Sequence, residues 1–264
     1  MTVKIIVCLK QVPVKDSLLK IKDNGSWVHE EELNYEINES DHYALEAALR
    51  LKEQHGGEVV ILSMGPERVK EAIKQGLAKG AERALHINNE SFTTFDPFIN
   101  ARILASAIKP EQPDLIFTGL QTDDYGTAQT GVILAEYLGL PHASIVMEIQ
   151  KQDGSVKVKR ELESGWFQWV ELPMPALLTI QSGINQIRYA TIKGIMMAKK
   201  KEIKQLTLSD LGLSASDVDA ASSPMKFQKI YVPKKTKQTQ LFEGDAKQVA
   251  SQLVNKLKNE AKVF

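Results

Sequence analysis

Up to about residue 140, short apolar runs alternate with longer segments in which apolar residues return every three or four positions. That rhythm predicts βαβ units around a mainly parallel sheet. Residues 3–9 read as a first strand, buried on both faces. Residues 20–29, centred on Asp23-Asn24-Gly25, read as a hairpin with an Asn-Gly turn. A first long helix is predicted over 38–54, with Tyr43, Ala44, Ala47, Ala48 and Leu51 on one face and Asn38 or Ser40 as its cap. Residues 58–63 form the next strand, Gly65-Pro66 opens a helix that ends near Gly80, and residues 84–87 form a third strand. Asp96-Pro97 starts a helix that stops at Ile108 ahead of Pro110. A fourth strand over 114–118 and a helix over 126–138 follow.

Beyond Pro141 the period changes to two. Residues 142–150, 155–162, 166–172 and 176–180 read as strands separated by Asp153-Gly154 and Ser164-Gly165. They are expected to add antiparallel sheet to the parallel one. Residues 214–224 are small and polar, 226–232 suit one more strand, and 247–257 suit a helix. Roughly fifty residues with so little apolar material do not close a core alone, so this end is expected to be an arm lying on another subunit.

Charge changes little in this picture. Lys plus Arg number 33 and Asp plus Glu 33, so no global field draws the chain to nucleic acid or to an anionic membrane. The single cysteine, Cys8, leaves no disulfide framework and no cysteine-based metal site. The first strand begins too close to Met1 for a secretory signal, and no apolar run reaches the roughly 18 residues of a membrane span. The expected location is cytoplasmic, without direct membrane insertion.

The usual dinucleotide, Walker, nucleophile-elbow and zinc-protease motifs are missing, and the five histidines have no ligand spacing. No catalytic residue and no metal ligand is predicted. What remains is a set of segments that an open parallel sheet brings together beyond the carboxyl ends of its strands. They are Cys8; Asn38, Glu39, Ser40 and Asp41; Ser63-Met64-Gly65; and Gly119-Leu120-Gln121-Thr122-Asp123-Asp124-Tyr125-Gly126-Thr127-Ala128-Gln129-Thr130-Gly131. In the last run, small residues permit close backbone approach, and Thr127, Gln129 and Thr130 are placed at a helix start that suits a phosphate. Asp123 and Asp124 suit hydrogen-bond donors of a ribose or a base. From the residues alone, a nucleotide pocket and a capped helix start after a polar loop stand side by side.

A second segment, 188–201, carries Tyr189, Ile192, Ile195, Met196 and Met197 beside a basic run, without strand alternation or a clean helical stripe. It reads either as a protein-docking surface or as a surface loop running into a short amphipathic helix.

Across its whole length the sequence resembles the beta (small) subunit of the electron transfer flavoproteins. The likeness rests on Val7-Cys8-Leu9-Lys10-Gln11-Val12-Pro13, residues 38–53 with Ala44-Leu45-Glu46-Ala47-Ala48, Gly80-Ala81-Glu82-Arg83, and residues 119–131. Arg160-Glu161-Leu162-Glu163, Pro175-Ala176-Leu177-Leu178-Thr179 and residues 188–201 complete it. The resemblance implies an α/β adenine-nucleotide-binding fold, an open and mostly parallel doubly wound sheet with flanking helices and added antiparallel strands. Residues 1–205 would form that domain, including a partner-recognition loop over 182–205, and 206–264 an arm packing on an alpha subunit.

It further implies an electron-carrier subunit, not an enzyme, in a heterodimer whose FAD is held mainly by the alpha subunit and carries the redox chemistry. A structural AMP would sit among Cys8, Asn38, Glu39, Ser40, Asp41, Met64 and residues 119–130. Tyr189, Ile192, Ile195 and Met196 would dock electron donors, acyl-CoA or amine dehydrogenases, and electrons would leave to an acceptor oxidoreductase. Two departures stand out. Ile192 occupies the place of the family's anchoring leucine and is stiffer at χ1. The Gly126-Thr127-Ala128-Gln129 run is also similar to bifurcating members, in which a second FAD takes the AMP site, but those continue Val-Gly-Pro where this chain has Thr130-Gly131-Val132. A stand-alone adenine-nucleotide-binding regulator is the rival from a different class.

Overall fold

The computed structural model describes residues 2–88, 95–219, 221–234 and 239–263. In chain order the strands are β1 (Val3–Cys8), β2 (Gln11–Pro13), β3 (Tyr35–Ile37), β4 (Gly57–Gly65), β5 (Arg83–Asn88), β6 (Leu115–Gly119), β7 (His142–Lys151), β8 (Ser155–Glu161), β9 (Phe167–Pro173), β10 (Ala176–Ile180) and β11 (Ile203–Leu206). The α-helices are α1 (Glu39–His55), α2 (Lys70–Lys79), α3 (Pro97–Ile108), α4 (Thr130–Leu138), α5 (Ile192–Ala198) and α6 (Ala246–Asn259).

One sheet runs β11-β5-β4-β1-β6-β10-β7-β8-β9, and β2 pairs with β3 in a separate antiparallel ribbon. All neighbours from β11 to β7 are parallel, while β7-β8 and β8-β9 are antiparallel. The alternation along β1 shows why it lies at the centre. Ile5 and Val7 pack under α1 and α2 with Leu45, Ala48 and Ile73, and Ile6 faces α3 and α4 with Ile103 and Leu134. A strand covered by helices on both faces has no position for a polar side chain in its middle.

Residues 176–180 form a strand as expected, but in a different place. β10 lies between β6 and β7 and is parallel to both, so it belongs to the parallel array. Period two identifies a strand without identifying its neighbours. The register between β7 and its partners shifts near Ile145, which stands at φ 58°. The hairpin over 20–29 is present as an antiparallel bridge between Ile21 and Val28, with Gly25 at φ 66° in its turn.

The chain divides into two compact units, Met1–Gln228 and Lys229–Phe264. The expected boundary at 205/206 thus differs from the observed division. Leu206 and Val218 are buried in the core beneath α3, and Asp217 accepts a hydrogen bond from Arg102. No strand forms over 226–232. In the second unit, α6 is capped by Asp245, whose side chain accepts from Gln248 N at 2.9 Å. Among the described residues no helix is long and apolar enough to cross a membrane.

Candidate functional site

The crossover after β1 leaves towards β4 and that after β6 leaves towards β7, so the strand order reverses between β1 and β6. The crevice beyond the carboxyl ends of these two strands is where open α/β sheets bind ligands. Asp41, in the first turn of α1, closes its floor. Its Oδ2 accepts the Lys10 N–H at 2.7 Å and its Oδ1 the Gly119 N–H at 3.0 Å, so one carboxyl group ties the end of β6 to the residue that follows β1. Burial pushes this group up to about 7, against the hydrogen bonds from Lys10 and Gly119 that favour the charged form. At Gly119 a Cβ would stand 2.2 Å from Ser40 Oγ and 2.3 Å from Asp41 Oδ1, so only glycine permits this closeness.

Asn38 or Ser40 is the expected cap of α1; Asn38 takes the N-cap position, but no side-chain cap hydrogen bond forms there. Their side chains turn to the 119–130 loop instead. Asn38 Nδ2 donates to Gln121 O at 2.9 Å, Ser40 Oγ donates to the same carbonyl at 2.8 Å, and Asp123 N donates to Asn38 Oδ1 at 2.9 Å. Buried amide and hydroxyl groups thus shape the loop. Outside it, Glu39 N donates to Asp123 Oδ2 at 3.4 Å, and Lys10 Nζ donates to Asp124 Oδ2 at 2.6 Å while lying 3.9 Å from the Tyr125 ring centroid. Burial lowers the affinity of Lys10 for its proton more than Asp124 raises it.

The helix expected from residue 126 begins at Thr130, because Gly126 at φ 60° and Ala128 at φ 53° adopt the left-handed region. Its first intrahelical bond runs from Ile133 N to Gln129 O. The N–H groups of the turn before it point out of the helix start, as at any helix N-terminus. At Gly131 a Cβ would lie 2.6 Å from Thr118 Oγ1, so this turn also packs closely against β6.

These elements enclose a cavity of about 140 Å³. Of the expected residues, Cys8, Asp41, Met64, Gly119, Leu120, Gln121, Thr122, Tyr125, Thr127, Ala128, Gln129 and Thr130 line it, while Asn38, Glu39, Ser40, Asp123, Asp124 and Gly126 do not. Burial and then the Asp41 charge push the Cys8 thiol up to about 12, which keeps it an inert apolar surface. Apolar Leu62, Met64 and Leu104 give one side of the cavity, and the start of α4 with the Thr127 and Thr130 hydroxyls gives another. An apolar slot next to unpaired helix N–H groups has the chemistry of a base next to a phosphate. Two buried polar atoms of lining residues, Asn100 Oδ1 and Thr118 Oγ1, have no hydrogen-bond partner among the described residues. Among the described residues no group of three or more His, Cys, Asp or Glu is placed to hold a metal ion.

The second candidate, 188–201 within the expected loop 182–205, contains a short helix on fixed flanks. Thr191 caps α5, its Oγ1 accepting from Gly194 N at 3.0 Å, and a Cβ at Gly194 would lie 2.2 Å from Ala78 O on α2. Asn185 Nδ2 donates to Tyr43 O, Arg50 donates to Gln186 O, and Arg188 binds Glu46 and Glu53 on α1. Lys201 Nζ donates to Leu77 O at 3.0 Å. On this frame Tyr189 is 94 % exposed and Ile192 81 %, with Ile195 and Met196 exposed beside them.

The family described as "Electron transfer flavoprotein domain" matches residues 26–211. The chain belongs to the electron transfer flavoprotein family. Relatives named "Electron transfer flavoprotein subunit beta" match over nearly the full length. The one from Methylophilus methylotrophus is 40% identical over 255 residues, covering 95% of this chain and 96% of its own. That from Bradyrhizobium diazoefficiens is 37% identical, covering 99% and 100%, and that from Thermoanaerobacterium thermosaccharolyticum is 34% identical, covering 96% and 97%. Within the family, this chain stands with the beta subunits.

Two of the segments on which the resemblance rests acquire physical reasons here. Glu82 accepts from Val59 N at 2.7 Å and from Lys52, and Arg160 Nε donates to Ser144 O at 2.9 Å across the β7-β8 pair. Sequence reasoning missed Leu9, Lys10, Leu62, Phe95, Pro97, Asn100, Leu104 and Thr118 as lining residues. Most belong to apolar runs or helix starts already explained by folding, so nothing marked them as ligand-facing. The aromatic group beside the cavity was equally hidden. Phe95 stacks on Phe227 at 4.9 Å and lies 4.7 Å from Trp27, which lies 5.6 Å from Tyr125, four rings from four separate segments.

Proposed function

We propose that the chain is the small subunit of a heterodimeric electron carrier. It holds a structural AMP in the crevice beyond β1 and β6, scaffolds an alpha subunit that bears the FAD, and presents Ile192 with Tyr189, Ile195 and Met196 to a dehydrogenase donor. FAD supplies the redox chemistry when bound, and electrons pass onward to an acceptor oxidoreductase. The roles of this chain are therefore those of shape and contact. Asp41, Asn38 and Ser40 set the loop over the nucleotide, the α4 N–H groups with Thr127 and Thr130 suit its phosphate, and Leu62, Met64 and Leu104 flank its base.

The observation that carries the reading is the platform of α5. A side chain as exposed as Ile192 is ordinary when it is alone. Here four apolar side chains share one short element whose two flanks are tied down by hydrogen bonds to α1 and α2. Apolar side chains held ready on a rigid support lose little entropy on contact, which is the property of a docking site.

Isolation of the native protein tests the proposal. A yellow complex with a second chain supports it, and a colourless homodimer carrying adenine nucleotide supports the stand-alone regulator instead.

A further inference from the structure

The four rings beside the cavity form two layers. Phe95 and Tyr125 line the cavity, and Trp27 and Phe227 pack against them without being among its described lining residues. Trp27 also meets Phe227 edge-on at 6.4 Å and Phe95 meets Tyr125 edge-on at 6.1 Å, so each ring touches at least two others. Phe95, Tyr125 and Trp27 are half-buried and Phe227 is 43 % exposed, which puts the cluster between the cavity and solvent. Asp96 anchors the outer layer. This buried residue caps α3 with Oδ1, which accepts from Phe98 N at 2.8 Å, and its Oδ2 accepts from the Ser223 hydroxyl and, at 3.4 Å, from Met225 N. The corner that brings Phe95 to the cavity thus also holds residues 223–227.

This segment adds nothing to the core. The core beneath α3 takes in Leu206 and Val218, whereas no residue from 223 to 227 is buried. Stacked rings lower the free energy only while they stay in contact, so the outer pair is as ordered as the inner pair beneath it. We propose that residues 223–227 are a strap across one wall of the crevice: an occupant that fixes Phe95 and Tyr125 fixes Phe227 through them, and the ordered strap slows the occupant's escape. Linkage makes the two effects reciprocal. Phe227 stands two residues before the second unit begins at Lys229, so the strap is also the chain that leads into that unit. The proposal rests on the nucleotide-pocket reading above and adds to it a means of retention built from rings outside the pocket.

The test uses the full chain with any partner chain that co-purifies kept in place, loaded with radiolabelled AMP and chased with unlabelled AMP. Phe227→Ala removes the stacked ring from Phe95, and exchange is expected to quicken roughly tenfold. Phe167→Ala removes a comparably exposed ring from the edge strand β9 and is expected to leave exchange unchanged. The reciprocal effect is read by limited trypsin cleavage after Lys226, an exposed residue of the strap. AMP is expected to slow that cleavage at least roughly threefold in the parent, through fewer local openings, and to lose this effect in Phe227→Ala. Phe227→Leu serves the same comparisons should the Ala variant fail to give the parent circular dichroism. Exchange unchanged by loss of the ring, or cleavage after Lys226 indifferent to AMP in the parent, overturns the strap while leaving the pocket reading intact. Failure of the parent to retain any AMP overturns both.

Discussion

Glu46, buried on α1, holds Arg188 at the threshold of the docking helix. Arg188 Nε donates to Glu46 Oε2 at 2.7 Å, and its backbone N–H reaches the same oxygen at 3.2 Å. Burial pushes the Glu46 carboxyl up, but hydrogen bonds from Arg188 and Arg50 outweigh it and hold the group below the usual carboxylate range. The pair joins the first long helix to residues 142 positions away in sequence.

Glu46→Gln is therefore expected to cost roughly 2 kcal/mol, the worth of a hydrogen bond between charged groups. Amide hydrogen exchange over 185–198 is expected to quicken while that of the central strands changes only with global stability. Unchanged protection there would show that the pair does not hold the segment.

Ile192→Ala separates docking from folding. Truncating so exposed a side chain is expected to leave stability within about 0.5 kcal/mol of the parent. At an interface hot spot the same truncation costs roughly 1–4 kcal/mol. Flavin reduction by the donor dehydrogenase should thus slow tenfold or more, with flavin content unchanged; an unaltered rate across carrier concentrations counts against the assignment.

Gly119→Ala probes the pocket floor. The added methyl would meet Ser40 Oγ and Asp41 Oδ1 well inside contact distance. Overpacking of this kind costs roughly 1–3 kcal/mol, and the variant is expected to lose AMP before it loses the fold. Nucleotide released on denaturation, compared with the melting temperature, checks the order.

Two carboxyl groups give pH dependences of opposite sign. Asp41 is raised from 3.8 to about 7 by burial, so the folded state holds its proton more tightly than the unfolded chain. Its contribution is full at low pH and is lost as pH rises from about 4 to about 7. Glu111 is lowered from 4.5 to about 2 by the hydrogen bond from Arg83, against burial, with Lys4 adding to the effect. Its contribution is full above about 4.5 and is lost as pH falls towards 2. Denaturant titrations of Asp41→Asn and Glu111→Gln against the parent, from about pH 3 to about pH 8, should show the two differences changing in opposite directions.

Much of this was legible in the sequence. The buried strands announced themselves as Val- and Ile-rich runs, and Asp96-Pro97 marked the start of α3, where Asp96 does accept from Phe98 N at 2.8 Å. The loop 119–130 was singled out because Gly119, Gly126 and the threonines suit close backbone approach. The start of α4 was misplaced because Ala128 at φ 53° adopts a conformation its side chain does not advertise. A short helix within 188–201 was one of two readings of that segment, and its bounds were not legible because its seven residues carry no stripe and only the fold shows that Gly194 lets it lie against Ala78. The ring cluster of Trp27, Phe95, Tyr125 and Phe227 exists only in three dimensions.

The unit boundary makes a further expectation. A chain ending at Gln228 keeps Val218 in the core and Asp217 on Arg102, whereas one ending at Leu213 loses both. Loss of one buried Val side chain and one paired Arg is worth roughly 2–4 kcal/mol, so the shorter chain is expected to melt lower. The longer one is expected to fold like the parent yet assemble poorly with an alpha subunit. Quantitative co-purification of the 1–228 chain with that subunit would refute the arm.

The central claim is tested most directly by counting cofactors. Nucleotides released from the denatured native complex, identified and quantified by mass spectrometry against protein, are expected to number one FAD and one AMP for each pair of unlike chains. Two FAD and no AMP per pair would contradict the structural-nucleotide account and give the crevice beyond β1 and β6 to a second flavin.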